Sequence, residues 1–353
     1  MSTFDNYGKV PHKTIERIVF PYLGVQRPEV LVRSGHGLDN AVIDIGNDKV
    51  LIVTTDIIQI FHGFGLEDAA WFSWQITGND ITTCGHPPQY IVAVFTVPVG
   101  SKEEDLETIC KVFGRETAKY GAEVVAGHTG SFYTCQYPTI GTLTMMTTCS
   151  KDDYVTPQMA EPGDVLVLTK GIGITAGAGF ARLFPETFKK ELGGDMYDEA
   201  WKMFYQSSSM KDALMAHSIG VKDHGVTSMH DITEGGLFTG FVELAGASNI
   251  GLLVNRDDIF IPPVAKAVCE KFDIDPYCGS SLGSLLITVK PTKVDTLINV
   301  LKADGIDSFA IGEVKNRYHG IIIQSNGKKQ SLEKPNPDSL WPAMFTCIQQ
   351  GLK

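Results

Sequence analysis

The sequence predicts a two-domain α/β (α+β) fold with a mixed sheet in each half. Three observations predict it. With 353 residues the chain exceeds what one hydrophobic core usually serves. Apolar β-rich runs alternate with amphipathic stretches along nearly its whole length. A turn signal, Ala160-Glu161-Pro162-Gly163-Asp164, breaks that alternation near the middle and a fresh strand follows it. The expected division is residues 1–155, residues 156–330 and a helical tail over 331–353.

Residues 12–24 carry Ile15, Ile18, Val19 and Leu23 at helical spacing and predict a short helix. Ala41–Ile45 and Lys49–Thr54 flank Gly46-Asn47-Asp48, the pattern of a hairpin. Leu66–Thr77 reads as a helix and Tyr90–Val97 as a strand. Lys102–Tyr120 is amphipathic; Ser101 is its expected N-cap, Glu103 and Glu104 suit its first turn, and Gly121 suits its end. Ala122–Ala126 reads as a short strand that ends in the turn Gly127-His128-Thr129-Gly130, and Thr139–Thr148 as a long strand. The second half offers a strand at 165–169, helices at 174–183, 197–206 and 210–218, and a strand at 226–230. Helix 235–247, strand 251–255, helix 262–271, strand 284–289 and helix 293–304 follow. Strands near 308–313 and 318–324 precede a terminal helix around 338–350.

Composition narrows the function. Lys+Arg 30 against Asp+Glu 41 gives a net charge of −11, which argues against nucleic acid and against an anionic membrane surface as partners. The seven cysteines form no C-x-x-C pair and read as reduced thiols of a cytoplasmic protein. Cys84-Gly85-His86 offers half a zinc site without a partner pair at ligand spacing, so a loop leading into Pro87-Pro88 is the plainer reading. The first residues, MSTFDNYGKVPHK, lack the apolar core of a signal peptide.

Four short aspartate motifs carry the chemistry. They are Gly37-Leu38-Asp39-Asn40-Ala41, Thr54-Thr55-Asp56, Asn79-Asp80-Ile81 and His230-Asp231-Ile232-Thr233-Glu234-Gly235-Gly236. Singly, an aspartate at an element's end is most often a cap or turn former. Together, carboxylates at such places are candidates for one cluster, and a cluster of repelling acids implies a divalent cation. Gly235 and Gly236 at a helix start expose N–H groups to an anion, although Thr233 also suits a plain N-cap. Lys170-Gly171-Ile172-Gly173 after an apolar strand invites a phosphate reading, but it is neither a Walker motif nor a dinucleotide fingerprint. His128 reads either as a phosphate or proton-transfer group or as a structural histidine. Lys9 reads either as a solvated lysine or as one that closes over a triphosphate.

In this order and spacing the motifs resemble a known superfamily. It contains aminoimidazole ribonucleotide (AIR) synthetase, the hydrogenase maturation factor HypE, selenophosphate synthetase and thiamine-monophosphate kinase. Gly37–Ile43 looks like G-[DE]-D-A-A-V-I, and Thr54–Asp56 like [ST]-T-D. Asn79-Asp80-Ile81 with Gly85-His86-Pro87-Pro88 looks like N-D-[IL]-x-x-x-G-A-x-P. Gly127-His128-Thr129 looks like G-G-[HDE]-[ST], and Asp231–Leu237 like D-[PVI]-T-x-G-G-L. The resemblance runs from about Gly8 to Ile323. It implies a PurM-like fold whose N-terminal domain binds ATP and Mg2+ and dimerises.

The resemblance implies Asp39, Asp56, Asp80 and Asp231 as magnesium ligands, and Lys9 and His128 as catalytic groups. Thr55, Asn79, Gly127, Thr129, Lys170, Gly171, Gly173 and Gly235 become candidate cofactor-binding residues. Gly8-Lys9-Val10-Pro11 resembles the lysine segment of selenophosphate synthetase. Departures fall at Leu38, where the family has an acid, at Asn40, where it has alanine, and at His128, where HypE and thiamine-monophosphate kinase generally have Asp. No cysteine precedes Lys9, and the C-terminal cysteine of HypE is absent.

The resulting expectation is an AIR synthase-related, HypE-like ATP-dependent enzyme, a cytoplasmic homodimer. It would activate an oxygen of an amide or carboxylate-like group by phosphoryl transfer, on a small-molecule or protein-borne acceptor. The competing readings are a nucleotide-binding scaffold or maturation partner with little turnover, and a thiamine-monophosphate kinase.

Overall fold

A computed structural model describes residues 9–133, 135, 140–334 and 337–353. Gly8 and residue 139, the start of one expected strand, lie outside them. The first half contains α1 (His12–Ile18), β1 (Val30–Val32), β2 (Ala41–Gly46), β3 (Lys49–Gln59), α2 (Leu66–Thr82), β4 (Tyr90–Pro98), α3 (Glu103–Lys119), β5 (Glu123–Phe132) and β6 (Ile140–Ser150). The second contains β7 (Val165–Thr169), α4 (Ile174–Leu183), α5 (Pro185–Leu192), α6 (Gly194–Met203), α7 (Met210–His217), β8 (Val226–Asp231), α8 (Gly236–Ser248) and β9 (Ile250–Asn255). It continues through α9 (Pro263–Lys271), β10 (Leu285–Val289), α10 (Val294–Ala303), β11 (Ser308–Asn316), β12 (Ile321–Ser325), β13 (Lys328–Ser331) and α11 (Leu340–Gln349).

Each half builds one mixed sheet. The first has strand order β1-β2-β3-β6-β4-β5 and the second β13-β12-β9-β11-β7-β10-β8. Asn47 and Asp48 take left-handed φ at the β2–β3 turn, which suits the twist of a hairpin. In the first sheet, α2 and α3 cover one face, with Trp74, Ile109 and Phe113 against Ile52, Ile91 and Leu143. The opposite face is only half covered: Val53, Val92 and Val94 are intermediate in burial, and Ile57 and Val125 are exposed. The second sheet is covered on both faces. Leu166, Leu168 and Leu286 pack with Phe241 and Leu244 of α8, while Val167, Leu285 and Ile287 pack with Leu297 and Leu301 of α10. Alternate residues of one strand facing opposite layers is the period-2 pattern of a central strand.

Several expectations change. Helix α2 runs on to Thr82, so Asn79 and Asp80 sit in its last turns. Ser101 does not cap α3; its hydroxyl donates to the Pro98 carbonyl instead, at 2.8 Å. The expected turn at 127–130 is the middle of β5, paired in parallel with β4 at Ala93↔Gly127 and Val94↔His128. A Cβ at Gly127 would run into the Ala93 carbonyl, so this glycine serves close strand approach, not a reversal. The span expected as a helix at 197–206 is preceded by a separate one, α5, opened by Pro185 at its first position. Helix α11 docks back on the first half, where Trp341 stacks on Phe61 at 5.9 Å. Among the described residues no helix is long and apolar enough to cross a membrane.

Candidate functional site

The four aspartates come from four distant segments and line one cavity of about 250 Å³. Asp39 is on the loop into β2, Asp56 on β3, Asp80 at the end of α2 and Asp231 at the end of β8. Local chemistry holds each in place. Gly37 has φ +70°, and a side chain there would strike the backbone of Glu243, so only glycine lets the Asp39 loop approach α8. The Asn40 amide donates to the Asp80 carbonyl at 3.0 Å and to Thr83 Oγ1 at 2.7 Å, tying that loop to the end of α2. The asparagine that replaces the family's alanine is therefore a strut. Leu38, where the family has an acid, lies on the cavity wall and packs on the core.

A relay of charges runs along one side. His230 Nδ1 donates to Asp39 Oδ1 at 2.8 Å and Nε2 to Glu243 Oε2 at 3.2 Å, while Lys9 Nζ donates to Glu243 Oε1 at 3.0 Å. Two carboxylates on one ring require both ring nitrogens to carry protons. Burial opposes that charge, but Asp39 and Glu243 outweigh it and hold the His230 pKa at about 10. Burial likewise opposes ionisation of Glu243, but the His230 hydrogen bond and the Lys9 charge bring it down to about 2. Lys9, with its side chain 45% exposed, closes the row at the rim and its pKa is raised above the usual lysine value; burial works against this and the Glu243 and Glu234 charges prevail.

The remaining acids are left without such help. Burial first, then mutual repulsion, raises Asp231 to about 7 and Asp80 well above the carboxylate range. Asp56 rises to about 6, mainly through burial with Glu234 adding to it, although Asp56 Oδ1 accepts the Ile57 N–H at 2.6 Å. Among the described residues Asp39 Oδ2 and Asp231 Oδ2 are buried with no hydrogen-bond partner. Buried oxygens that repel one another and lack donors fit a hard divalent cation. The donors are all carboxylate oxygens, since His230 is already committed to Asp39 and Glu243, so the set suits magnesium over a softer ion.

Of the other sequence candidates, only Thr55 shares the cavity. Thr55 reaches the cavity wall, where its hydroxyl also meets Thr144 Oγ1 at 3.0 Å. The Asn79 amide is committed across the halves: Nδ2 donates to the Ser207 carbonyl at 3.0 Å, and Oδ1 accepts from the Ser209 N–H at 2.8 Å. Lys170 donates to the Ser208 carbonyl at 2.6 Å and pairs with Asp212 at 3.0 Å, beside a separate hollow. The Gly171 carbonyl accepts from Ser284 Oγ at 2.6 Å, and the Gly173 N–H donates to Ser281 Oγ at 2.9 Å. Gly127, His128 and Thr129 line a shallow hollow on the exposed edge strand β5, away from the aspartates.

Gly235 donates its N–H to Asp338 Oδ2 at 2.7 Å, and the same oxygen accepts from the Ser280 N–H at 3.0 Å and Ser280 Oγ at 2.8 Å. The anion expected at the glycine turn is thus, in this structure, a carboxylate from the chain's own tail. Sequence reading gave no role to His230, Glu234, Glu243, Asp338 or Trp341. A signal existed for Glu243, the lone charge of the otherwise apolar helix α8.

Comparison with known proteins agrees with this architecture. Residues 37–149 match the model of the AIR synthase related protein N-terminal domain, and residues 161–324 that of its C-terminal domain. The carbamoyl dehydratase HypE of Rhizobium leguminosarum bv. viciae is 24% identical over 305 residues, covering 82% of this chain and 83% of that one. A selenide, water dikinase of Nitratidesulfovibrio vulgaris is 24% identical, covering 89% and 93%. Among solved structures, a HypE–HypF complex matches with a TM-score of 0.70 at 20% identity, covering 91% of this chain and 99% of that chain. HypE in complex with ATP matches with a TM-score of 0.67 at 19% identity, covering 94% and 96%. At these identities the structural likeness establishes the fold.

Proposed function

The chain belongs to the AIR synthase related protein family, and on that premise we propose that it is an ATP-dependent enzyme acting by phosphoryl transfer to an oxygen of an amide or carboxylate-like acceptor. One observation carries the reading: four aspartates from distant segments meet in one cavity with two buried carboxylate oxygens unpartnered. Asp39, Asp56, Asp80 and Asp231 would hold Mg2+, whose bound charge screens a triphosphate and its transition state. The acceptor oxygen attacks the γ-phosphorus, the bond to the β,γ-bridging oxygen breaks, and ADP departs. Lys9 stands at the rim, where an ammonium offsets charge on the transferring group. His230, held as an imidazolium, fixes the Asp39 carboxylate by a hydrogen bond and lowers the local negative potential.

The half-covered face of the first sheet and its exposed edge support a homodimer. Gly127, His128 and Thr129 do not line the aspartate cavity of one chain, so the reading assigns their role to the pairing of two copies. The HypE–HypF complex among the similar structures supports a maturation partner protein.

Asp56→Asn tests the reading: magnesium-dependent ATP hydrolysis should disappear while the far-UV spectrum and the oligomeric state stay as in the parent. Full activity in that variant would sink it. A second reading, a nucleotide-binding scaffold with little turnover, is favoured by one observation, Leu38 in place of an acid at the cavity wall. Calorimetry with Mg–ATP followed by a phosphate-release assay separates the two; tight binding without turnover supports the scaffold.

A further inference from the structure

Away from the aspartate cavity, three potential metal ligands meet from three distant segments. His86 follows α2, Asp153 follows β6, and His217 is the last residue of α7. Their ligand atoms all lie within 4.8 Å of one another. His217 Nε2 is 3.0 Å from Asp153 Oδ1, and His86 Nε2 is 3.6 Å from Asp153 Oδ2. The two imidazole centroids are 4.6 Å apart with the rings tilted at 59°. A tetrahedral ion with bonds of about 2.0–2.2 Å places its ligand atoms roughly 3.3–3.6 Å apart. The first separation is shorter than that range and the second reaches its upper end, so side-chain shifts of a few tenths of an ångström at Asp153 bring them into line with an ion.

The surroundings hold the ligands in place. Both imidazoles are sheltered, at 18% and 19% exposure, while the carboxylate is 51% exposed and sits at the mouth. Gly85 has φ +97°, and a Cβ there would overlap the His217 ring, so the ring rests directly on the glycine backbone. His86 Nε2 also meets the Asp153 carbonyl oxygen, a contact that keeps its ring turned toward the acid and must loosen when the nitrogen binds a cation. Two imidazoles and one carboxylate ligate zinc and, as a facial triad, iron(II); the near-tetrahedral spacing favours zinc, and either set differs from the all-oxygen set at the aspartates.

We propose that His86, Asp153 and His217 form a zinc site with a fourth position open to water. Such an ion ties the segment directly after α2, which carries Asp80, to α7 of the second half. It would reinforce the Asn79 hydrogen bonds to Ser207 and Ser209 that join the same elements. The proposal is independent of the phosphoryl-transfer reading.

The test uses the full-length protein, stripped with a chelator and dialysed, with excess Mg2+ present to fill the aspartate cavity. Titration with Zn2+ against a chromophoric chelator should show one tight equivalent per chain. Co2+ in its place should give the intense visible bands of a tetrahedral ion. His86→Gln and His217→Gln should each weaken Zn2+ binding by more than the roughly 10–100-fold that outer-sphere changes cost, with the cobalt bands lost. Asp56→Asn should keep both signals. Circular dichroism shows that the variants are folded, and Asp153→Asn serves if His217→Gln is not. Absence of tight Zn2+ binding in the parent, or equal binding in folded His86→Gln, overturns the proposal.

Discussion

The aspartate cavity and the turn at Lys170 both look like ligand sites in the sequence, and the structure makes them opposites. At the turn, a buried ammonium meets the Asp212 carboxylate at 3.0 Å, and serine hydroxyls take up the glycine backbone groups. In the cavity, acids are packed together with oxygens left over, and the two cations, Lys9 and His230, are placed along one side only. The difference teaches where to look for a ligand. A motif whose polar groups find partners within the chain is a strut, and one whose groups repel and lack partners needs something from outside.

The largest expected effect is on the strut. Lys170→Met leaves Asp212 buried and unpaired and should cost about 3–5 kcal/mol in urea unfolding, while ATP hydrolysis per folded molecule stays near the parent's. Loss of activity at unchanged stability would erase the contrast between the two sites. Asp231→Asn should do the reverse. Removing one repelling charge should stabilise the protein without divalent cations by about 1–3 kcal/mol, since one pKa unit corresponds to about 1.4 kcal/mol. The same change should abolish the rise in Tm that Mg2+ gives the parent, measured by thermal melts.

The pH profile sharpens the same point. Asp56 and Asp231 hold their protons up to about 6 and about 7, above the ordinary carboxylate value of 3.8. The folded state therefore binds more protons than the unfolded state across that window. Stability without Mg2+ should fall as pH rises from about 4 to 7. His230 acts in the adjoining window: its contribution is complete below the ordinary histidine value of 6.5 and is lost as pH climbs toward about 10. Magnesium replaces the protons on the acids, so melts at pH 5 and pH 8 should diverge in its absence and converge in its presence. The smallest effect is Asn40→Ala, about 1 kcal/mol for the lost hydrogen bonds, with a higher Mg2+ concentration needed to reach half-maximal ATP hydrolysis.

Much of the fold is legible because the strands are apolar and the helices amphipathic; strand 165–169 and helix 174–183 stand where the pattern puts them. The four aspartates are legible as a group because each stands near the end that the pattern gives an element, although β3 runs on past Asp56 to Gln59 and α2 past Asp80 to Thr82. What escapes has physical reasons. Gly127 and Gly130 mimic a turn, yet the missing Cβ at Gly127 serves close strand pairing, and local sequence does not distinguish the two. Helix α5 is short and leaves only Phe188 fully buried, too little periodicity to stand out. The pairing of His230 with Asp39 and the meeting of His86 with His217 depend on contacts between residues more than a hundred positions apart, which no local pattern encodes.

The tail residue Asp338 has a consequence for measurement. Its carboxylate is a tethered competitor for the Gly235 and Ser280 amides. A tether of this kind keeps its group at an effective concentration of about millimolar. An anionic group arriving from solution would have to displace it, so the affinity measured on the whole chain would be the intrinsic affinity multiplied by the fraction of molecules in which the carboxylate has left the turn. Any anion drawn to that turn would have to outcompete a carboxylate placed two residues before α11.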